Sequence, residues 1–146
     1  LVIGNTGVYA PTAAQVTKVA EAIQLEPERM KEIETIGTIA RRGIAALKRG
    51  DYEAVGRAMT ENQIMLRGLG VSCPELDVAV DASLAAGAMG SRMVGGGFGG
   101  SAIALIKASD TQKTKDAVLA AFNKKGFKKP RFFTSLPSAG ASASLV

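Results

Sequence analysis

Five glycines fall within the six positions 95–100, interrupted only by Phe98. A run of this kind has a large backbone-entropy cost, so it normally marks main chain that takes positive φ or approaches another group closely. Backbone N–H groups without neighbouring Cβ atoms can surround an anion, and a phosphate is the obvious ligand. The alternative is a hairpin whose glycines only satisfy turn geometry, although a tight hairpin needs only one or two of them.

Two common phosphate-binding motifs do not fit this run. Gly95, Gly97 and Gly100 satisfy the G-x-G-x-x-G spacing, but that fingerprint requires a helix directly after the glycines. Residues 102–106 are instead an unbroken apolar run, which is typical of a buried strand. No G-K-[ST] sequence follows, which excludes a Walker-type loop. The pattern therefore predicts a strand, a glycine loop and a second strand.

The segment from Arg92 to Leu105 resembles the third motif of the GHMP small-molecule kinases, which include galactokinase, homoserine kinase, mevalonate kinase and phosphomevalonate kinase. The glycine string is most similar to the galactokinase version. Residues 62–63, running into residues 69–72, instead resemble bacterial and archaeal mevalonate kinases. The second signal spans more of the chain and favours mevalonate. Relatives usually carry a threonine just before the first glycine, where this chain has Val94.

The resemblance implies that residues 1–146 are the C-terminal domain of a two-domain kinase. In that family the phosphate-binding P-x-x-x-G-L-G-S-S-A type motif and the catalytic aspartate precede this region, and neither occurs in the chain. The implied activity is transfer of the γ-phosphoryl group of ATP, with Mg²⁺, to a small alcohol, for which mevalonate is favoured. Galactose or another sugar or alcohol is the alternative acceptor, and a noncatalytic interaction module is the alternative from another class.

The resemblance also assigns site residues, although it assigns no catalytic residue and no metal ligand in this chain. Arg92 and Val94 are candidate substrate or phosphate contacts, and an exposed salt bridge is the equal alternative for Arg92. A β-branched residue at Gly97 is expected to lower turnover while leaving the fold intact. ATP and Mg²⁺ are expected to bind mainly to the N-terminal domain, which would be this chain's partner. The implied ATP-phosphate loop consists of Gly95, Gly96, Gly97, Phe98, Gly99 and Gly100.

Composition excludes several other kinds of site. The 146 residues contain no histidine and a single cysteine, Cys73, so Cys/His metal centres and Ser/His/Asp machinery cannot be assembled from this chain. One cysteine fits a reducing compartment, and no apolar stretch reaches the length of a membrane span. We therefore expect a cytoplasmic protein without a membrane partner, and a homodimer is compatible with the sequence.

The formal net charge of +5 raises the question of nucleic-acid binding. We favour solvated helix faces and helix C-termini over a nucleic-acid footprint, because lysines and arginines are common there. No nucleic-acid partner is therefore expected. The basic clusters are Arg41, Arg42, Lys48 and Arg49, and Lys124, Lys125, Lys128, Lys129 and Arg131.

The order of elements predicts an α+β fold with helices packed on an antiparallel sheet. A strand at residues 1–5 is followed by four helices, the glycine hairpin, a helix at residues 111–125 and a strand at residues 131–136. The resemblance implies a ferredoxin-like sheet. The helix boundary signals are Pro11 with Thr12, Gly50, Asp51, Pro74 and Gly126. The small-residue tail from Pro137 reads as a flexible end, whereas the resemblance implies a segment folded back near the active site.

Apolar periodicity predicts the buried faces of the second and third helices. Asn62 breaks the second of these stripes. For this residue a hydrogen bond that fixes helix register is favoured over a ligand contact, and Gln63 is expected to point elsewhere. The stripes are Met30, Ile33, Ile36, Ala40, Ile44 and Leu47, and Tyr52, Val55, Met59, Leu66 and Leu69.

Overall fold

The computed structural model describes residues 1–9, 12–136 and 140. Short 3-10 turns precede the second and fifth helices. The order of elements agrees with the predicted one, while the start signal Pro11 and the tail at residues 137–139 and 141–146 lie outside the described residues. The strands are β1 (Val2–Asn5), β2 (Gly90–Val94), β3 (Ser101–Leu105) and β4 (Arg131–Thr134), and the helices are α1 (Thr12–Leu25), α2 (Met30–Lys48), α3 (Tyr52–Gly68), α4 (Pro74–Ala85) and α5 (Thr111–Lys125).

The four strands form one antiparallel sheet in the order β2-β3-β1-β4. The register pairs Ile3 with Ile103 on one side and with Phe133 on the other, and Ile103 in turn pairs with Arg92. The first connection, from β1 to β2, contains α1 to α4, and the connection from β3 to β4 contains α5. The predicted α+β class and ferredoxin-like strand order are confirmed.

The core lies between one face of this sheet and helices α4 and α5. Alternation along the strands sends Met93 and Ala102 to that face, where they are 2% and 4% exposed. They meet Leu76 of α4 and Phe122 of α5, both fully buried. Each large apolar side chain removed from water contributes about 1.5–3 kcal/mol. This packing fixes the plane of β2 and β3, and with it the position of the loop that joins them.

Three of the predicted helix boundaries are visible as backbone geometry. Asp51 caps α3, since its carboxylate accepts a hydrogen bond from the Ala54 N–H at 2.9 Å. Gly126 ends α5 in the left-handed region at φ 70°. Pro74 occupies the first turn of α4. Within the described residues, no helix combines the length and the apolar character needed to cross a lipid bilayer.

Helix α3 packs against the outer edge of β2, and its buried face differs from the predicted stripe. The buried residues of α3 are Gly56, Ala58, Asn62 and Gln63, whereas Tyr52 is 54% exposed. A Cβ atom at Gly56 would overlap the carbonyl oxygen of Met89, so backbone meets backbone here. Such close contact selects small residues on this face of α3 rather than large apolar ones.

The predicted stripe of α2 is also largely outside the core. Ile44 and Leu47 are 55% and 56% exposed, while Ile39 and Ala46 are the buried residues of α2. The reason is that α2 packs mainly on α3 rather than on the sheet. Much of its apolar face therefore borders a groove.

Candidate phosphate-binding loop

The loop between β2 and β3 takes backbone conformations that favour glycine. Val94 and Ser101 form the last strand pair before it. Gly95, Gly97 and Gly100 have φ values of 91°, 86° and 79°, and L side chains are strained in this region. Phe98, at φ 57°, is the non-glycine residue of the described chain with positive φ. With Gly99 at φ 151°, four of the five glycines meet a conformational requirement, which exceeds the need of a tight hairpin.

The chain between α3 and α4 holds one side of the loop. The Phe98 N–H donates a hydrogen bond of 2.8 Å to the Val71 carbonyl. A Cβ atom at Gly97 would overlap that same carbonyl oxygen and lie 2.9 Å from Met93 Cε. The expectation that a β-branched residue at Gly97 leaves the fold intact is therefore wrong, because the backbone at Val71 occupies the space that its side chain would need.

The segment directly after β1 holds the other side of the loop. The Gly100 N–H donates to the Val8 carbonyl at 3.0 Å, and the Gly100 carbonyl accepts from both the N–H and the Oγ1 of Thr6, at 2.8 and 2.9 Å. Thr6 is 1% exposed. A Cβ atom at Gly99 would lie 2.6 Å from the Val8 oxygen. The loop is thus clamped between two chain segments that are remote in sequence.

The remaining amides of the loop are free to bind a ligand. The N–H groups of Gly95, Gly96, Gly97 and Gly99 have no acceptor among the residues that the structure describes. All four glycines border a cavity of about 160 Å³, together with Val8 and Tyr9. A Cβ atom at Gly95 would meet nothing within 4 Å. Bare amides around a concavity can bind an anion such as phosphate.

The side chain of Phe98 lies elsewhere than on this cavity. Its ring packs against the hydrophobic core, and Lys18 Nζ of α1 lies 5.9 Å from the ring centroid. Such a cation–π contact contributes about 0.5–1 kcal/mol at an exposed site. Phe98 is therefore an anchor that ties the loop to the core and to α1.

The structure separates the two predicted contacts in β2. Val94 borders the loop cavity and is 42% exposed. Arg92 borders a different cavity, between α2 and α3, which Asn62 also lines. Only Val94 is thus brought together with the glycines, and its apolar side chain offers the cavity no hydrogen bond in place of the family's threonine.

A buried polar network supports the loop from α3, and its central residue was missed by sequence reasoning. Gln63 is 1% exposed, and its Oε1 accepts a hydrogen bond of 2.8 Å from the Met93 N–H. Its Nε2 donates to Ser72 Oγ at 3.3 Å, and Ser72 Oγ donates to Asp77 Oδ1 at 2.6 Å. The expectation that Gln63 points elsewhere is wrong, since Gln63 accepts a hydrogen bond from Met93 of β2, two residues before the loop begins at Gly95.

Arg67 completes this network at the surface. Its Nε donates to Asp77 Oδ1 at 2.6 Å and its Nη2 to Asp81 Oδ1 at 2.7 Å. Burial alone would lower the pKa of Arg67, but the hydrogen bonds to Asp81 and Asp77 raise it above its ordinary value. These contacts fix Ser72, the residue after Val71, and so hold the segment against which Gly97 and Phe98 lie.

The part of the chain that the structure describes holds no cluster of three or more Asp, Glu, Cys or His side chains that could bind a metal ion. The loop amides are hydrogen-bond donors and cannot bind a cation.

A clamped glycine loop on a ferredoxin-like α+β sheet defines the C-terminal domain class of the small-molecule kinases. The family model "GHMP kinases C terminal" matches residues 44–128, more than half of the chain. The chain therefore belongs to the GHMP kinase family, as the loop motif predicted.

Two of the curated relatives of this chain are galactokinases. The galactokinase of Streptomyces coelicolor is 41% identical over 128 residues, which cover 87% of this chain and 30% of the relative. The galactokinase of Bos taurus is 54% identical over 78 residues, covering 51% of this chain and 20% of the relative. The chain thus spans less than a third of the length of these curated relatives.

Among solved structures, the L. major mevalonate kinase in complex with R-mevalonate superposes with a TM-score of 0.79 at 32% identity. The match covers 95% of this chain and 43% of that one. The Lactococcus lactis galactokinase complexed with galactose gives a TM-score of 0.72 at 20% identity over 90% of this chain and 43% of that one, which shows the fold alone.

Proposed function

We propose that this chain is the C-terminal part of a longer ATP-dependent kinase that phosphorylates galactose. The observation that carries the kinase proposal is the set of unpaired amides at Gly95, Gly96, Gly97 and Gly99 around a cavity of about 160 Å³. The choice of galactose is supported by the 41% identity to a galactokinase over 87% of the chain. It reverses the preference for mevalonate that the residues at 62–63 and 69–72 suggested.

In phosphoryl transfer the protein acts mainly by positioning the reactants and by stabilising charge on the phosphate oxygens. Bound ATP supplies the transferable γ-phosphoryl group. The four unpaired loop amides would donate hydrogen bonds to phosphate oxygens, and the clamps at Val8 and Val71 would keep those donors in place before the ligand arrives. Such preorganised donors are the ones that stabilise a developing charge without further rearrangement. We assign no general base to this chain.

Mevalonate is the second candidate acceptor. It is supported by the TM-score of 0.79 and the 32% identity to a mevalonate kinase over 95% of this chain. The two candidates share the loop and its proposed role, and they differ only in the alcohol that receives the phosphoryl group.

Coupled ADP release by the longer gene product, with galactose and mevalonate offered separately, tests the proposal. We expect turnover with galactose, none with mevalonate, and none from the 146-residue chain alone. Turnover with mevalonate only would replace the acceptor and keep the kinase. No ADP release with either alcohol, or with related sugars, would favour a noncatalytic module.

A further inference from the structure

A second cavity lies on the face of α3 that carries Asn62, next to the face that carries Gln63. Its volume is about 220 Å³, and it is bounded by α2, α3 and the side chain of Arg92 from β2. The walls are almost wholly apolar, and Asn62 and Arg92 are the two polar side chains that border it. The main apolar contributors are Ile39, Ile44, Leu47, Val55 and Met59.

Asn62 is 5% exposed and lines this cavity, yet its Oδ1 accepts no hydrogen bond from any described residue. A buried amide without a partner lowers the stability of a fold, so it needs a reason. The hydrogen bond fixing helix register that the sequence favoured is absent among the described residues. Since a half-turn of the amide exchanges its two ends, Asn62 can offer a ligand either a donor or an acceptor.

Arg92 is the cation of this cavity. Its Nε donates to the Met93 carbonyl at 2.8 Å, and within the described chain no carboxylate lies within ion-pair distance of its guanidinium. Burial lowers the pKa of Arg92, and no acidic neighbour opposes that effect. The remaining N–H donors of the guanidinium form a planar fork that matches a carboxylate.

We propose that the groove between α2 and α3 binds a small aliphatic carboxylate, with its carboxylate on Arg92 and Asn62 and its apolar body between the two helices. One cation suits one negative charge, and apolar walls exclude a polyanion such as a nucleotide triphosphate. The cavity of about 220 Å³ is smaller than the roughly 300–1,000 Å³ of drug-sized sites. The ligand is therefore a short one.

This site is separate from the glycine loop, since Arg92 and Asn62 do not border the loop cavity. It nevertheless adjoins the strand that leads into the loop. Its test can therefore be made by binding alone, and its outcome does not depend on which alcohol the kinase uses.

Isothermal titration of the chain with hexanoate, and with 1-hexanol as the uncharged match, tests the site. We expect one molecule of hexanoate per chain, and binding of 1-hexanol weaker by about tenfold or more, because charge-assisted hydrogen bonds are the stronger ones. Arg92→Gln should weaken hexanoate binding by about tenfold or more. Arg131→Gln is the matched control, because Arg131 is an exposed β4 residue outside the groove.

Asn62→Leu gives a second measurement that is safe for the fold, because leucine has a similar shape and leaves no unpaired amide. It should weaken hexanoate binding several-fold and leave 1-hexanol unaffected. Equal affinity for acid and alcohol, equal weakening by Arg131→Gln, or no hexanoate binding would each overturn the proposal. A dimer observed by sedimentation would also overturn the proposal if Arg92→Gln dissociated it and hexanoate did not. In that case a second copy of the chain would fill the groove.

Discussion

Two neighbouring residues of α3 show how differently this domain treats its buried polar groups. Gln63 is 1% exposed and bonded at both ends of its amide, to the Met93 N–H and to Ser72. Asn62 is 5% exposed, and its Oδ1 has no partner among the described residues. A satisfied buried group rigidifies a structure, whereas an unsatisfied one needs an explanation. The Gln63 side of α3 is therefore a brace for the glycine loop, and the Asn62 side is the surface at which we propose a ligand.

The glycine loop repeats this contrast within six residues. The amides of Phe98 and Gly100 are bonded to the clamps at Val71 and Val8. Those of Gly95, Gly96, Gly97 and Gly99, which border the cavity, have no acceptor among the described residues. The clamps hold the backbone in place, and the free amides keep their capacity for a ligand.

The largest effect is expected from Gly97→Ala, with Gly95→Ala as its match. Both residues have nearly the same φ, 86° and 91°, so the conformational strain of about 1–2 kcal/mol is shared. Only the Gly97 methyl overlaps Val71 O, which adds about 1–3 kcal/mol of overpacking. Urea unfolding should show the larger loss of stability for Gly97→Ala. Equal losses would mean that the clamp at Val71 is not rigid.

Gln63→Leu against Asn62→Leu tests the contrast between the two sides of α3. Gln63→Leu leaves the Met93 N–H unpaired and should lower the free energy of unfolding by about 1–3 kcal/mol. Asn62→Leu removes a polar group that has no bond to lose, so its effect should be neutral or stabilising. The measurement is the urea midpoint at constant m-value. A loss of stability for Asn62→Leu as large as that for Gln63→Leu would contradict the difference between the two sides of α3.

The smallest effect concerns Cys73, next to Ser72 in the braced segment. Burial raises the pKa of the Cys73 thiol. Because the thiol has the higher pKa in the folded state, keeping it neutral contributes to the stability of the fold below the pKa of the unfolded thiol. This contribution is lost as the pH rises through the pKa of the folded thiol. Iodoacetamide should modify the folded chain with a rate profile displaced to higher pH than in urea. Gln63→Leu should reduce that displacement, and Asn62→Leu should leave it unchanged.

The sequence predicted the loop and the sheet because their signals are local or carried by a motif. Five glycines in six positions identify special backbone geometry, and the apolar run after them identifies β3. The ferredoxin-like strand order came from the resemblance, since periodicity alone does not specify which strands pair. The capping residues Asp51 and Gly126 act through their own neighbours and were equally readable.

The brace under the loop could not be predicted in this way. The hydrogen bond from Met93 to Gln63 joins residues thirty positions apart, and α3 comes this near because Gly56 closely approaches the start of β2. That approach places small and polar residues on the buried face of α3, where apolar periodicity looks for large ones. The position of the Arg92 side chain could not be predicted for the same reason. Its neighbours in β2 suggested a place at the loop cavity, whereas it lies in the groove between α2 and α3.

The most direct test of the loop's role is the ATP dependence of coupled ADP release by the longer gene product carrying Gly95→Ala. Gly50→Ala is the control, because Gly50 also has positive φ, at 71°, and open space around it, but lies at the end of α2. If the bare amides bind phosphate, Gly95→Ala should lower kcat/KM for ATP by about tenfold or more, and Gly50→Ala should leave it unchanged. Equal kinetics for the two variants would contradict the assignment of the loop to the nucleotide.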